Sequence, residues 1–243
     1  MITSPHNEKL KLVRRLSQSR RERTRAGSFV AEGEDLLEAA DAAGWRPVER
    51  LCAAGSGLAG TEVDAAALAS VAGLASGTRT LAIYEARWEA APVGRLCVYV
   101  HGVRDPGNLG TILRSAQAFG AASVAIGPGS ADPFGPRAVR ASMGAIFAVP
   151  LARANAAADP RALPGTTIAL DAAAPQTLAE LGAELDTGGE LTILVGAERQ
   201  GLPPELIAGV DHAARIPIAS ESLNVAMAAT VALYELTRRI RPA

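Results

Sequence analysis

The stretch LCVYVHGVRDPGNLGTILRSAQAFG, Leu96 to Gly120, decides how the rest of the chain is read. Leu96–Val100 is an unbroken apolar run, the pattern of a strand buried on both faces. It ends in a glycine-containing loop. Beyond that, Leu109, Ile112, Leu113, Ala116 and Phe119 recur at helical spacing until Gly120 stops them. A buried strand, a loop and an amphipathic helix make the first half of a parallel β-α-β unit.

Working outward, SVAIG (Ser123–Gly127), IALD (Ile168–Asp171) and LTILVG (Leu191–Gly196) read as further strands. The chain closes with a helix over about Ser222–Arg239, on which Leu223, Met227, Thr230 and Tyr234 share a face. Apolar strands separated by helices give an α/β fold with a parallel sheet covered on both sides. Upstream, residues 5–25 predict one helix, with Leu10, Val13 and Leu16 as its apolar stripe and Ser4–Pro5 as cap and first turn. Phe29 to Gly44 follows, three apolar residues and then Leu36, Leu37 and Ala40 at helical spacing. Pro47–Ala53 and Thr80–Tyr84 are strand candidates, and Glu62–Ala72 a helix between them. The front of the chain is thus a small α/β module. ARWEAAPVGR, Ala86 to Arg95, has the Pro and Gly of a linker. The expected partition is 1–88, a linker at 89–95, and 96–243.

Composition narrows the function classes. Of 243 residues 49% are hydrophobic, enough for a core and far from the composition of disorder. Two cysteines, Cys52 and Cys97, and three histidines make neither a disulfide framework nor a metal centre. No uncharged run is long enough to span a bilayer, and no apolar leader follows the N-terminus, so a soluble, reduced, intracellular (cytoplasmic) protein is expected, without membrane or metal. Net charge is −1, but it is unevenly spread: residues 1–25 hold eight basic and two acidic side chains. A basic arm on an acidic body fits a polyanion contact or, equally, a solvated amphipathic helix.

Ligands of open parallel sheets bind beyond the carboxyl ends of the strands. Three segments fall there: Val103 to Gly120, Leu194 to Glu205 running on to Ile218, and Glu221 to Glu235. No G-x-G-x-x-G follows a strand, and no G-x-x-x-x-G-K-S/T exists, so dinucleotide and nucleoside-triphosphate readings are poor. Asp105 and Glu198 could pair for hydrolysis, but nothing in the sequence sets their separation. His101, at a strand end, reads as structural or surface rather than as a general base.

These three segments resemble the SpoU (TrmH) family of RNA ribose 2′-O-methyltransferases, within the SPOUT superfamily. The residues that carry the resemblance are Asp105-Pro106-Gly107-Asn108-Leu109-Gly110-Thr111-Ile112-Leu113-Arg114-Ser115-Ala116, then Gly196 to Leu202 with Ile216-Pro217, then Ser222 to Val225 with Leu233-Tyr234-Glu235. Arg140 to Pro150 is similar to a stretch between these motifs. Phe29 to Gly33 is similar to the start of the family's N-terminal substrate-binding domain, a small α/β, ribosomal-protein L30e-like fold. The chain departs from the family pattern at Ala197, where many members have Asn, and at Ala226, where many have Ser.

The resemblance implies a trefoil-knotted sheet, a homodimer, and S-adenosylmethionine bound in the knotted loops, with Leu194, Gly196, Ile216 and Leu223 as its wall. Arg114 would hold the adjacent phosphate and polarise the ribose hydroxyl, because a guanidinium keeps its proton and has no free lone pair to act as a base. Asn108 and Asn224 would orient Arg114 or the ribose, Glu198 would orient or accept the proton, and Ser222 is a candidate helix cap. Arg20, Arg21, Arg23, Arg25 and Glu32 would meet RNA. Under this reading 1–88 is an RNA substrate-binding domain and 96–243 the methyltransferase domain. Ribosomal RNA is favoured over transfer RNA. The competing readings are a transfer-RNA 2′-O-methyltransferase, a catalytically silent RNA-binding ribosome-assembly factor of the same fold, and a small-molecule α/β enzyme.

Overall fold

The computed structural model describes residues 1–73, 77–154, 160–185, 188–220 and 222–238. In chain order its elements begin with α1 (Glu8–Gln18), α2 (Arg20–Ala26), β1 (Ser28–Glu32), α3 (Glu34–Ala42), β2 (Glu49–Ala53), β3 (Thr61–Val63), α4 (Ala65–Ala69) and β4 (Thr80–Glu85). There follow β5 (Leu96–Val100), α5 (Pro106–Ala118), β6 (Ser123–Ile126), α6 (Pro136–Ala141), α7 (Ala145–Ala148) and β7 (Leu151–Arg153). The chain then continues through β8 (Thr166–Leu170), α8 (Leu178–Glu184), β9 (Leu191–Val195), α9 (Pro204–Gly209), β10 (His212–Ala214) and α10 (Val225–Thr237). They form two compact units. The first is Met1–Ala86 with Asp132–Ala148, and the second is Arg87–Ala131 with Val149 onward.

The first unit is built on a four-stranded sheet of order β1-β4-β2-β3, in which β4 runs antiparallel to β1 and β2 while β3 runs parallel to β2. Side chains alternate across the pleat. Val30, Leu81 and Ile83 therefore face α1, whose Leu10, Val13 and Leu16 are buried against them. Phe29 and Tyr84 point the other way, into a cluster with Trp45, Phe134 and Phe147. Phe29 lies 4.8 Å from Phe134, ring centre to ring centre, and the Trp45 indole N–H donates to the Phe147 carbonyl at 2.8 Å. Five of the nine aromatic rings of the chain gather here. They bind the excursion 132–148 to this unit, whereas the expected partition had left it with the C-terminal part.

In this unit two of the expected helices are bounded differently. The single helix over 5–25 is two, because Ser19 is extended (φ −131°, ψ 117°) and its hydroxyl accepts from the Glu22 N–H to cap α2. The first of them starts at Glu8, capped by Asn7 rather than by Ser4. Glu62–Ala72 is not one helix either. Asp64 accepts from the N–H groups of Ala66 and Ala67, which starts α4 only after β3 has ended.

The second unit is an all-parallel six-stranded sheet of order β10-β8-β9-β5-β6-β7. Every residue of β5, β6 and β9 is buried, as their apolar runs require. Helices α5 and α10 lie side by side and run the same way, with Ser115 hydrogen-bonded to Thr230 at 2.6 Å and Phe119 against Tyr234. Part of the expected linker joins the sheet, since Glu89 donates to the Leu151 carbonyl beside the edge strand β7. The closing helix starts at Val225, not at Ser222, and Arg239, where the sequence reading ends it, lies outside the described residues. Among the described residues no helix is long and apolar enough to cross a membrane, and no three His, Cys, Asp or Glu gather as a metal site.

Candidate functional site

Asp105 ends the loop after β5 and caps α5: its carboxylate accepts from the Asn108 N–H at 2.9 Å. Pro106 takes the first helical position, where no N–H is needed. At Gly107 a Cβ would sit 2.8 Å from an Asp105 carboxylate oxygen, so a side chain there would displace the cap. The D-P-G-N sequence is therefore the start of a helix, and it presents the Asn108 side chain from the helix's first turn. Asp105 is committed to this cap rather than to hydrolysis with Glu198.

The loop after β9 closes on itself. Ala197 and Gly201 exchange two backbone hydrogen bonds, of 3.1 and 2.9 Å, leaving Glu198 to Gln200 as the tip. A Cβ on Gly196 would lie 2.2 Å from the Gly201 carbonyl carbon, and Gly201 has φ +66°. Both glycines are needed for this closure. Glu198 is thereby held over the start of α5, where its carboxylate accepts from the Asn108 Nδ2 at 2.7 Å.

Asn224 completes the chain of side chains. Its Oδ1 accepts from the Ala226 and Met227 N–H groups, capping α10. That commits its Nδ2 to donation, which goes to the Asn108 Oδ1 at 3.0 Å. The orientation of both amides follows from this one cap. Asn224 thus fills the capping role the sequence suggests for Ser222, which is exposed, accepts at its carbonyl from the Ser220 hydroxyl and lines the cavity beside this chain.

Beside this Asn224–Asn108–Glu198 chain lies a cavity of about 350 Å³ at the carboxyl ends of β8, β9 and β10. Gly196, Glu198, Ile216 and Leu223 line it, as do Leu170 and Asp171. Leu194 does not: it is fully buried in a core cluster with Tyr99, Ala169 and Leu202. The pleat sends the next residue, Val195, to the cavity wall instead. Leu170 and Asp171 had a signal in the sequence, being the end of an apolar strand run. They were not named because one strand end looks much like another without the topology.

Arg114 stands apart. It is exposed on α5, six residues or about 9 Å along the helix from Asn108, and it makes no hydrogen bond or ion pair among the described residues. His101 meets the Tyr99 hydroxyl at 3.1 Å through Nδ1; burial holds its pKa below the ordinary histidine value, and Glu205 pulls weakly the other way.

In the first unit the residues expected to meet RNA divide into two groups. Arg20 and Arg21 are exposed. Arg23 is buried, its guanidinium donating to Asp132 at 2.8 Å and to the Leu16 carbonyl at 2.5 Å. Arg25 pairs with Glu22 at 2.6 Å. The Glu32 carboxylate is taken up internally, by the Gly73 N–H at 2.8 Å, by the Thr78 hydroxyl and by Arg140 at 3.6 Å.

Residues 95–234 match the model of the SpoU rRNA Methylase family. The 23S rRNA (guanosine(2553)-2′-O)-methyltransferase RlmP of Bacillus subtilis (strain 168) is 29% identical over 97% of this chain and 98% of its own. An AdoMet-bound rRNA methyltransferase from Sinorhizobium meliloti superposes with a TM-score of 0.86 at 31% identity, covering 99% of this chain and 98% of that one. The SpoU methyltransferase AviRb from Streptomyces viridochromogenes, in complex with the cofactor AdoMet, gives 0.84 at 26% identity, over 96% and 98% of the two chains.

Proposed function

The chain belongs to the SpoU rRNA Methylase family, and on that premise we propose that it transfers a methyl group from S-adenosylmethionine to a ribose 2′-hydroxyl of ribosomal RNA. The observation that carries this is the Asn224–Asn108–Glu198 chain at the rim of the 350 Å³ cavity. The cavity suits the cofactor. Its volume is within the range of about 300–1,000 Å³ usual for small-molecule sites. Its aliphatic wall of Leu170, Val195, Ile216 and Leu223 offers packing to an adenosine, while loop backbone around Gly196 to Gly201 offers donors and acceptors.

When bound, S-adenosylmethionine supplies a methyl group on a sulfonium, an excellent leaving group. The chain has then to position the hydroxyl and take its proton. Glu198 uses one oxygen for Asn108 and has the other for the hydroxyl proton. Asn108 and Asn224, fixed by the α10 cap, keep that carboxylate aimed. Arg114 serves the phosphate beside the reacting ribose and polarises its hydroxyl.

The finer reading has three further parts. The protein is a homodimer, because Met227, Val231 and Tyr234 form an apolar stripe on α10 that is 60%, 41% and 56% exposed in the single chain. Such a stripe calls for a covering partner, and a dimer lets Arg114 serve the site of the second copy. The C-terminal segment is knotted. In support, β10 is an edge strand, yet α10 returns to pack on α5 and β9 in mid-sheet, past the closed loop at Gly196 to Gly201. The first unit is a ribosomal-protein-like RNA-binding domain, and the setting is the cytoplasm.

The test is tritium transfer from methyl-labelled S-adenosylmethionine into unmodified ribosomal RNA and, in parallel, transfer RNA. Label in ribosomal RNA, leaving one alkali-resistant linkage, is the expected result. Label in transfer RNA alone would move the substrate class. Cofactor binding without label in either RNA or an assembled ribosomal particle would make the protein a silent binding factor.

A further inference from the structure

A second cavity, of about 320 Å³, lies wholly within the first unit. Three arginines reach it from elements far apart in sequence: Arg14 on α1, and Arg137 and Arg140 on α6. On α6 the division of labour is plain. Ala138 and Val139 are buried and hold the helix, while Arg137 and Arg140, one turn apart, are exposed. On α1, Leu10, Val13 and Leu16 face the core. Arg14 shares the cavity wall with Ser17 and Gln18 at the i+3 and i+4 positions, and it has no hydrogen-bond or ion-pair partner among the described residues.

Glu32 sits at the floor, only 11% exposed at its side chain. Its tight hydrogen bonds go to Gly73 and Thr78, and its contact with Arg140 is long, at 3.6 Å. Arg140 keeps 44% of its side chain in solvent. Glu32 is thus held mainly by Gly73 and Thr78, and among the residues that line this cavity three guanidinium groups stand beside one carboxylate. In the N-terminal basic run, Arg23 pairs with Asp132 and Arg25 with Glu22.

We propose that the phosphodiester backbone of the RNA substrate is held in this cleft by Arg14, Arg137 and Arg140, rather than along the run Arg20 to Arg25. Guanidinium groups on an open concave rim suit phosphate contacts, which position a nucleic acid without reading its sequence. The composite origin of the cleft gives the excursion 132–148 a function: it carries two of the three cations to the site. The inference rests on the RNA methyltransferase reading and deepens it.

The test uses the full-length protein and the RNA that the wild type methylates. Binding is followed by fluorescence anisotropy across a salt series, beside steady-state methyl transfer. The triple variant Arg14→Gln/Arg137→Gln/Arg140→Gln is expected to lose at least tenfold in affinity at about 0.1 M salt and to flatten the salt dependence by about 2 to 3 log units per log unit. S-adenosylmethionine affinity and the rate at saturating RNA should stay within about twofold of wild type. A charge-matched control, Arg15→Gln/Arg20→Gln/Arg21→Gln, should change affinity less than about threefold. The single variant Arg137→Glu, at an exposed position, guards against misfolding and should weaken binding in the same direction. Equal losses in control and cleft variants, or wild-type affinity in the cleft variants, would overturn the inference while leaving the methyltransferase standing. A wild-type protein that neither methylates nor binds RNA would overturn both.

Discussion

Asn224 spends its carbonyl on the first turn of α10 and its amide group on Asn108, and these duties separate by mutation. Aspartate caps a helix about as well as asparagine. Asn224→Asp should therefore leave thermal stability nearly unchanged, yet it loses the donor to Asn108 and should cut methyl transfer at least tenfold. Asn224→Ala loses both and should also cost about 1 kcal/mol in a denaturant titration. Glu198→Gln keeps an acceptor but not a base; a fall of about 10² in single-turnover rate with unchanged cofactor affinity is expected. At His101 the sign is set by burial, which holds its folded-state pKa below the ordinary value of about 6.5. The unfolded chain then binds the proton more readily, so this contribution to stability is present at neutral pH and is lost as pH falls below about 6.5. Melting temperatures from pH 7.5 to 5 should fall less steeply for His101→Gln than for wild type. The motifs single out Asn108, Glu198 and Asn224 as candidates, but their contacts, across 90 and 116 residues, are not readable in the sequence. Arg23 was misjudged for the same reason, its partner Asp132 being 109 residues away.

At the scale of elements, the long apolar strands were readable because a strand buried on both faces carries an unambiguous run. The three-residue strands β7 and β10 were not, since Leu-Ala-Arg and His-Ala-Ala hold no pattern. The break between α1 and α2 is hard to read because the apolar stripe ends at Leu16 and the charged run of α2, Arg20 to Ala26, carries no pattern that would mark a new helix. Helices α6 and α7 are held to their unit by aromatic packing rather than by sequence neighbours. Phe134→Ala, at 4% exposure, should cost about 3–5 kcal/mol. Hydrogen exchange should localise the effect, with residues 132–148 and β1 losing protection while β5 and β9 keep theirs. Uniform loss across both sheets would contradict this account of the excursion.

For the whole molecule, the apolar stripe on α10 makes a prediction that activity alone does not test. Val231→Glu places a charge between Met227 and Tyr234, four and three residues away on the same face. Sedimentation at micromolar concentration should then shift from dimer to monomer, with methyl transfer lost if Arg114 works across the interface. A wild type that sediments as a monomer would remove both claims.

The discontinuity of the first unit also has a consequence during synthesis. Its sheet is complete once Glu85 has left the ribosome, but the rings of Phe29 and Tyr84 still lack Phe134 and Phe147. At about 5–20 residues per second, the next 60 or so residues take about 3–12 s to appear. For that interval the nascent chain shows an uncovered aromatic face, a natural binding site for a chaperone at the tunnel exit. Codon choice between positions 86 and 148 thereby becomes a determinant of yield.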